Sequence, residues 1–309
     1  MQKQKIKWLL FHEPAELFIR TAKDFQKHLD VLSNNKFDIE ILTLEDYQEK
    51  YLDGMICDPF TELKNGNVQI SQIYANTIGL YGANDFYALS MPYLFEDHDH
   101  AARVFEGEVG KKLFDHLYEK TSVRGLAYTY SGGYRCTAST TPLNRVEDFA
   151  GKTFLRSHNP ILSNMIDLVG AKKIDNLNDG AEKCDITQST YPRYHADCTE
   201  EQKYVSDTEH SMYLTAILLN DSFMQSLSDQ DKDNFCKAAL KASRTERAQS
   251  VADAEEIKTS IDKQKDLGIE QVITWPDEEI SKLKSLWSPL YDKYKDFFSF
   301  DILDQIKKS

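Results

Sequence analysis

The stretch IKWLLFHEPAELFIRTAKDFQKHLDVLSNNKFDIEILTL, residues 6–44, decides the fold. It opens on an apolar run, IKWLLF (6–11), short enough for a buried strand. After Pro14, the apolar positions Phe18, Ala22, Phe25, Leu29 and Leu32 recur at three- and four-residue steps, the period of a helix with one buried face. Asn34 and Asn35 then break the chain ahead of a second apolar strand, FDIEILTL (37–44). Strand, helix and strand over this length form a βαβ unit, and such a unit implies a parallel sheet.

The pattern repeats outward from there. A helix over roughly 46–64 precedes the strand NVQISQI (67–73). A second α/β set starts near Arg124, with strand-like GLAYTY, YRCTAS, GKTFLR, AKKID and CDIT separated by short helices or loops. SMYLTAILLN (211–220) reads as a buried strand. Ser228 with Asp231 then forms an acidic capping box opening a helix that continues to Leu267, before Gly268. About 38 helical residues would span roughly 57 Å, more than the width of one small domain. Such a helix must serve two domains. EQVITW (270–275) adds a strand and SKLKSLWSPLYDKY (281–294) a terminal amphipathic helix. With no repeat and no low-complexity linker, the reading is two interwoven α/β lobes: 1–126 with 214–250, and 127–213 with 251–309.

Composition narrows the function. The 309 residues are 41% hydrophobic and 28% charged, and carry a net charge of −13 with a pI of about 5.1. An acidic chain without a Lys/Arg stripe is a poor partner for nucleic acid or an anionic membrane. No apolar run approaches the ~20 residues of a membrane span. MQKQKIK does not read as a signal peptide. The five cysteines (57, 136, 184, 198 and 236) show no C-x-x-C spacing, which argues against zinc or dithiol chemistry.

Nucleotide, hydrolase and zinc-protease motifs are missing from the sequence. EDHDH (96–100) suits a polar helix start better than a metal cluster, and Cys136 beside Arg135 suits a small buried strand residue better than an activated thiol. His12, Glu13 and Glu16 follow the first strand, where the carboxyl ends of a sheet meet a cleft; a polar helix start is an equal reading. The tyrosines at 74, 128, 130, 134, 191 and 194 could line a pocket for a ring, although half-buried packing is the commoner use. Nothing combines a nucleophile, a base and an oxyanion hole. No cofactor or metal is expected from these residues.

Five further segments, in this order, carry a family resemblance: ALSMPYLFEDHDHAARVFEGEVGKKLFDHL (88–117), RGLAYTYSGGYRCTAS (124–139), TPLNRVEDFAGKTF (141–154), EEQKYVSDTEHSM (200–212) and NDSFMQSLSDQDKDNF (220–235). Together they resemble the substrate-binding proteins of TRAP (tripartite ATP-independent periplasmic) transporters, of the DctP type. The resemblance covers nearly the whole chain. It implies a two-lobed periplasmic-binding-protein-like fold with a long domain-crossing helix and a central ligand cleft. It further implies a periplasmic monomer that closes on a small organic acid and delivers it to membrane permease subunits. An enzyme or ligand sensor reusing the two-lobe fold is the alternative.

The family usually grips the ligand carboxylate with an arginine on the strand after the D-x-x-G segment, because a planar guanidinium suits a bidentate contact. Here the spacings from Arg135, from Gly151 and back from Gly170 all lead to Leu155. Arg156 is the next residue; it faces away on a regular strand and inward only across a bulge. Arg135 matches the family's second arginine. The family's asparagine falls on or near Ser189, beside Gln188, and Tyr74, Asn76, His12 and His210 fall where the resemblance has members touch ligand. NLNDGAEKC (176–184) is several residues shorter than usual, which implies a trimmed helix and suggests a Cys184–Cys198 pairing. These departures favour an atypical organic acid, recognised partly through a ring or an apolar part.

Overall fold

The computed structural model describes residues 3–179 and 182–309 and divides the chain into two compact units. The first comprises Met1–Asn84, Ala102–Tyr130 and Leu214–Gln249; the second comprises Asp85–Ala101, Ser131–Tyr213 and Ser250–Ser309.

The first unit is built on a five-stranded sheet. Its order is Phe37–Leu42, Gln4–Leu10, Ile70–Tyr74, Met212–Asn220 and Val123–Tyr134. Gln4–Leu10 pairs in parallel with both of its neighbours, as the βαβ reading requires, while Met212–Asn220 runs antiparallel to Ile70–Tyr74. The helix Ala15–Ser33 buries Phe18, Ala22, Phe25 and Leu29, and Phe25 meets the Trp8 ring edge-on at 5.1 Å. Asn34 ends it in the left-handed conformation, where asparagine is tolerated, with its N–H on the Asp30 carbonyl.

The single helix expected over 46–64 is two, Leu44–Leu52 and Pro59–Asn65. Asp53 turns left-handed and closes the first. Asp58 restarts the second by accepting from Thr61 N, with Pro59 in the first turn, where its missing N–H costs nothing.

The second unit holds a mixed six-stranded sheet, ordered Gln271–Thr274, Tyr204–Asp207, Cys136–Ser139, Ile186–Ser189, Thr153–Leu155 and Lys172–Ile174. Ala138, Val205 and Ile186 are fully buried in it. Phe149 packs on Phe154 and Trp275 at 6.1 and 6.0 Å.

Three further expectations need correction. Residues 85–101, assigned by sequence to the first lobe, lie with the second unit. Asp85 accepts from Ser299 N, Ser90 from Asn159 Nδ2, Pro92 O from the Tyr291 hydroxyl, and His100 Nε2 contacts Ile306 O, so every one of these ties leads into that unit. The long helix runs over Asp229–Thr259, 31 residues or about 46 Å, rather than to Leu267. Ser260 leaves helical geometry and caps a separate helix, Ile261–Asp266, through a bond from Lys263 N. At the start of the long helix the Ser228 hydroxyl accepts from Asp231 N and donates to Asp231 Oδ2, which is one half of the capping box expected there. Residues up to Gln249 belong to the first unit and those from Ser250 to the second.

The third correction concerns the trimmed segment. Asn178–Asp179 pairs antiparallel with Glu182–Lys183, and residues 180 and 181 lie outside the described residues. Cys184 and Cys198 are both free, as are Cys57, Cys136 and Cys236. The Cys184 thiol donates to the Ile186 carbonyl at 3.1 Å, and Cys198 packs against the Cys136, Tyr191 and Tyr194 cluster. Thiol titration of denatured, unreduced protein is therefore expected to return five thiols; a count of three would mean that a pair closes in solution. Among the described residues no helix is long and apolar enough to cross a membrane.

Candidate ligand-binding site

Arg135 follows the strand that enters the second unit and precedes Cys136–Ser139, near the middle of its sheet. Its amide donates to Ser211 O at 2.8 Å, which fixes the backbone. The residue is only 5% exposed, and its guanidinium lies 3.6 Å from the centroid of the Tyr213 ring. Nε is buried without a hydrogen-bond partner, and no carboxylate among the described residues pairs with this side chain. Burial pushes the guanidinium below its ordinary pKa, against the partly compensating pull of Tyr213 and Asp197. An unpaired buried cation is costly in an empty site, which makes it a strong attractor for an anion.

A second arginine stands beside it and is already satisfied. Arg193 places Nε and Nη2 on the two Asp197 oxygens at 2.9 and 2.6 Å, and Nη1 on the Ser131 hydroxyl at 3.2 Å. Its guanidinium lies 4.7 Å from the same Tyr213 ring. Ser189 donates to Asp197 Oδ2 at 2.9 Å. Two guanidinium groups thus lie against one ring, and the one carboxylate beside them binds Arg193, leaving one positive charge over.

His210 completes the polar set. The Gln188 carboxamide oxygen, 3.1 Å from Nε2, can only accept, so Nε2 carries the proton and Nδ1 accepts from the Thr208 hydroxyl at 2.7 Å. Burial, helped by the charge of Arg135, lowers the His210 pKa to about 3. The imidazole is neutral at any physiological pH. The charge of this cluster toward a ligand therefore comes from arginine alone.

Leu155 is the half-buried last residue of its strand, opposite Ile174. The ladder from Thr153–Lys172 to Leu155–Ile174 is continuous and contains no bulge. Arg156 lies just past it; its side chain is 49% exposed, and Nη1 reaches Asp175 Oδ1 at 3.0 Å.

In the first unit, His12 stacks on Tyr74 with ring centroids 3.5 Å apart, and its Nε2 accepts from Tyr74 N at 3.2 Å. The Tyr74 hydroxyl donates to Glu13 O at 3.0 Å. Asn76 keeps a buried Oδ1 without a hydrogen-bond partner. Of the expected residues, Arg135, Gln188, Ser189 and His210 thus belong to the polar cluster of the second unit, while Tyr74, Asn76 and His12 form a group of their own in the first. Sequence reasoning missed Tyr213, Arg193, Asp197 and Thr208. Only the i, i+4 spacing of Arg193 and Asp197 in YPRYHAD offered a signal.

Residues 13–175 and 186–296 match the family described as bacterial extracellular solute-binding protein, family 7, or DctP. The chain belongs to this family. Family 7 relatives include the sialic acid-binding periplasmic protein of Vibrio cholerae, 30% identical over 219 residues, 67% of this chain and 64% of that protein. The C4-dicarboxylate-binding periplasmic protein of Rhodobacter capsulatus is 23% identical over 299 residues, 93% of this chain and 85% of that one.

Among solved structures, a TRAP periplasmic solute-binding protein from Sulfurospirillum deleyianum with bound succinate has a TM-score of 0.81 at 20% identity and 99% coverage of both chains. One from Ralstonia eutropha with bound (S)-2-acetolactate also scores 0.81, at 18% identity, covering 99% of this chain and 98% of that one. The family 7 fold is the two-lobed one of these TRAP binding proteins.

Proposed function

We propose that this chain is an extracytoplasmic, periplasmic receptor that captures a small organic acid with one carboxylate and an apolar remainder. It then delivers that acid to the membrane permease of a TRAP transporter. The observation that carries the reading is Arg135, a buried guanidinium with an unpartnered Nε and no carboxylate of its own. A ligand carboxylate would supply the missing acceptor and the missing charge together. Leu155, where the resemblance places an arginine, offers no second cation, and Arg156 is turned to Asp175. Gln188 and the neutral His210 contribute dipoles, which suit hydroxyl or keto groups better than a second carboxylate. Relatives that bind sialic acid or 2,3-diketo-L-gulonate agree with the organic-acid class. They do not favour a two-lobe enzyme or sensor.

The test is a binding panel built from acids seen in related structures: succinate, (S)-2-acetolactate, D-erythronate and pantoate. A ligand that binds only the folded protein stabilises it by about 2.7 kcal/mol at a hundred times its Kd. Pantoate and acetolactate, which have one carboxylate and branched alkyl carbon, are expected to raise Tm more than succinate at equal concentration. Tighter binding of succinate would reject the single-carboxylate reading, and no response to any acid would reject Arg135 as a carboxylate anchor.

A further inference from the structure

We infer that Lys258 is a positioning residue for the ligand site. From the long helix it holds the segment Asp207–Ser211 in the form that orients His210 and supports Arg135. This rests on the ligand reading just given, and its geometry lies wholly within the second unit.

Lys258 Nζ forms ion pairs with Asp207 and, at 3.1 Å, with Glu209 Oε1. Between those carboxylates and His210 the chain makes an uncommon turn. Glu209 has φ 43, the left-handed region that side chains other than glycine and asparagine rarely adopt. Such a conformation persists only where its surroundings hold it. The residues that depend on it are those of the site. Thr208 Oγ1 binds His210 Nδ1, His210 O accepts from Tyr93 N at 2.8 Å, and Ser211 O accepts from Arg135 N. A cavity of about 70 Å³ adjoins the turn, lined by Gly133, Tyr134, Asp207, Glu209, Glu255 and Lys258 among others. It gives Glu209 room to relax if the lysine lets go. Lys258 therefore opposes a backbone preference, and His210 moves with the outcome.

Two variants at Glu209, whose side chain is 54% exposed, separate this from a general loss of stability. Glu209→Ala and Glu209→Gly delete the same carboxylate, but only glycine occupies the left-handed region freely. In 15N-labelled protein without ligand, wild-type His210 is expected to give one neutral tautomer, protonated at Nε2. Glu209→Ala and Lys258→Met should shift and broaden those signals; Glu209→Gly should leave them in place, and adding it to Lys258→Met should restore them. Pantoate affinity should follow the same order, falling about two- to thirtyfold in the shifted variants. Unchanged His210 signals in Lys258→Met, or the same response from Ala and Gly at 209, would overturn the inference whatever the Tm. A wild type that ignores pantoate would strike the ligand reading, and the ligand-free signals would still decide the role of Lys258.

Discussion

Replacing Arg135 with methionine is expected to raise the melting temperature of the ligand-free protein and to abolish most of its ligand affinity. The two effects share a cause. Arg135 is 5% exposed, with Nε lacking a hydrogen-bond partner, and burial lowers its pKa. The neighbouring carboxylate, Asp197, is committed to both nitrogens of Arg193 and to the Ser189 hydroxyl. What offsets the desolvation of Arg135 in the empty protein is chiefly Tyr213, whose ring lies 3.6 Å away, with a smaller pull from Asp197, and a cation–π contact contributes about 2 kcal/mol when desolvated. That is less than the several kcal/mol it costs to bury an ion. Methionine has a flexible apolar chain and keeps a favourable sulfur contact to the ring. Exchanging buried ionic groups for apolar ones of similar size is often stabilising by roughly 1–4 kcal/mol.

The bound state responds in the opposite direction. Removing one partner of a desolvated charge pair costs ~2–5 kcal/mol, so affinity for a carboxylate should fall roughly thirtyfold to a few thousandfold. Calorimetric unfolding without ligand and titration with the best acid of the panel measure the two halves. A variant that is less stable than wild type when empty, yet binds the acid normally, would show Arg135 to be a structural residue.

The order of strands and helices was legible because it follows from local periodicity. Phe18, Ala22, Phe25 and Leu29 share a face whatever surrounds them, and Gln4–Leu10 pairs as the βαβ rule requires. The misread boundaries have local causes too. The Ser260 cap and the Asp53 turn were overridden in the reading by a helical pattern continuing on both sides. The placement of residues 85–101 was not legible, since it depends on bonds to Ser299, Ile306 and Tyr291, some two hundred positions away.

Part of the site could be read and part could not. The family resemblance, with spacings counted along it, pointed to Arg135, Leu155 and His210. That Arg193 would be neutralised and Arg135 would not depends on which arginine folds beside Asp197, and composition and motif carry no trace of that choice. Glu209 in a left-handed turn was equally invisible, because glutamate gives no local signal for it.

Leu155→Arg is expected to reverse the ligand preference toward dicarboxylates. Leu155 ends a strand in unbroken register with Lys172–Ile174 and is half-buried, so a longer side chain there can extend without opening the core. A guanidinium at 155 would add a further cation to the sheet whose middle strand follows Arg135, with Asp197 already taken by Arg193. A charged hydrogen bond contributes ~1.5–3 kcal/mol, or roughly ten- to a hundredfold in affinity, for a ligand with a second carboxylate to meet it. The apolar part of a branched monocarboxylate would lose its leucine contact, so pantoate should weaken while succinate tightens. Specificity would change through a new repulsion as well as a new attraction.

The control is Arg156→Ala. That arginine is 49% exposed and pairs with Asp175, itself 66% exposed, and such surface pairs contribute ~0–1 kcal/mol. Its removal should leave both affinities unchanged. Titration of the three proteins with succinate and pantoate separates the cases. If Arg156→Ala abolishes binding and Leu155→Arg shifts nothing, then Arg156 rather than Leu155 faces the ligand, and the strand must change register when the acid binds.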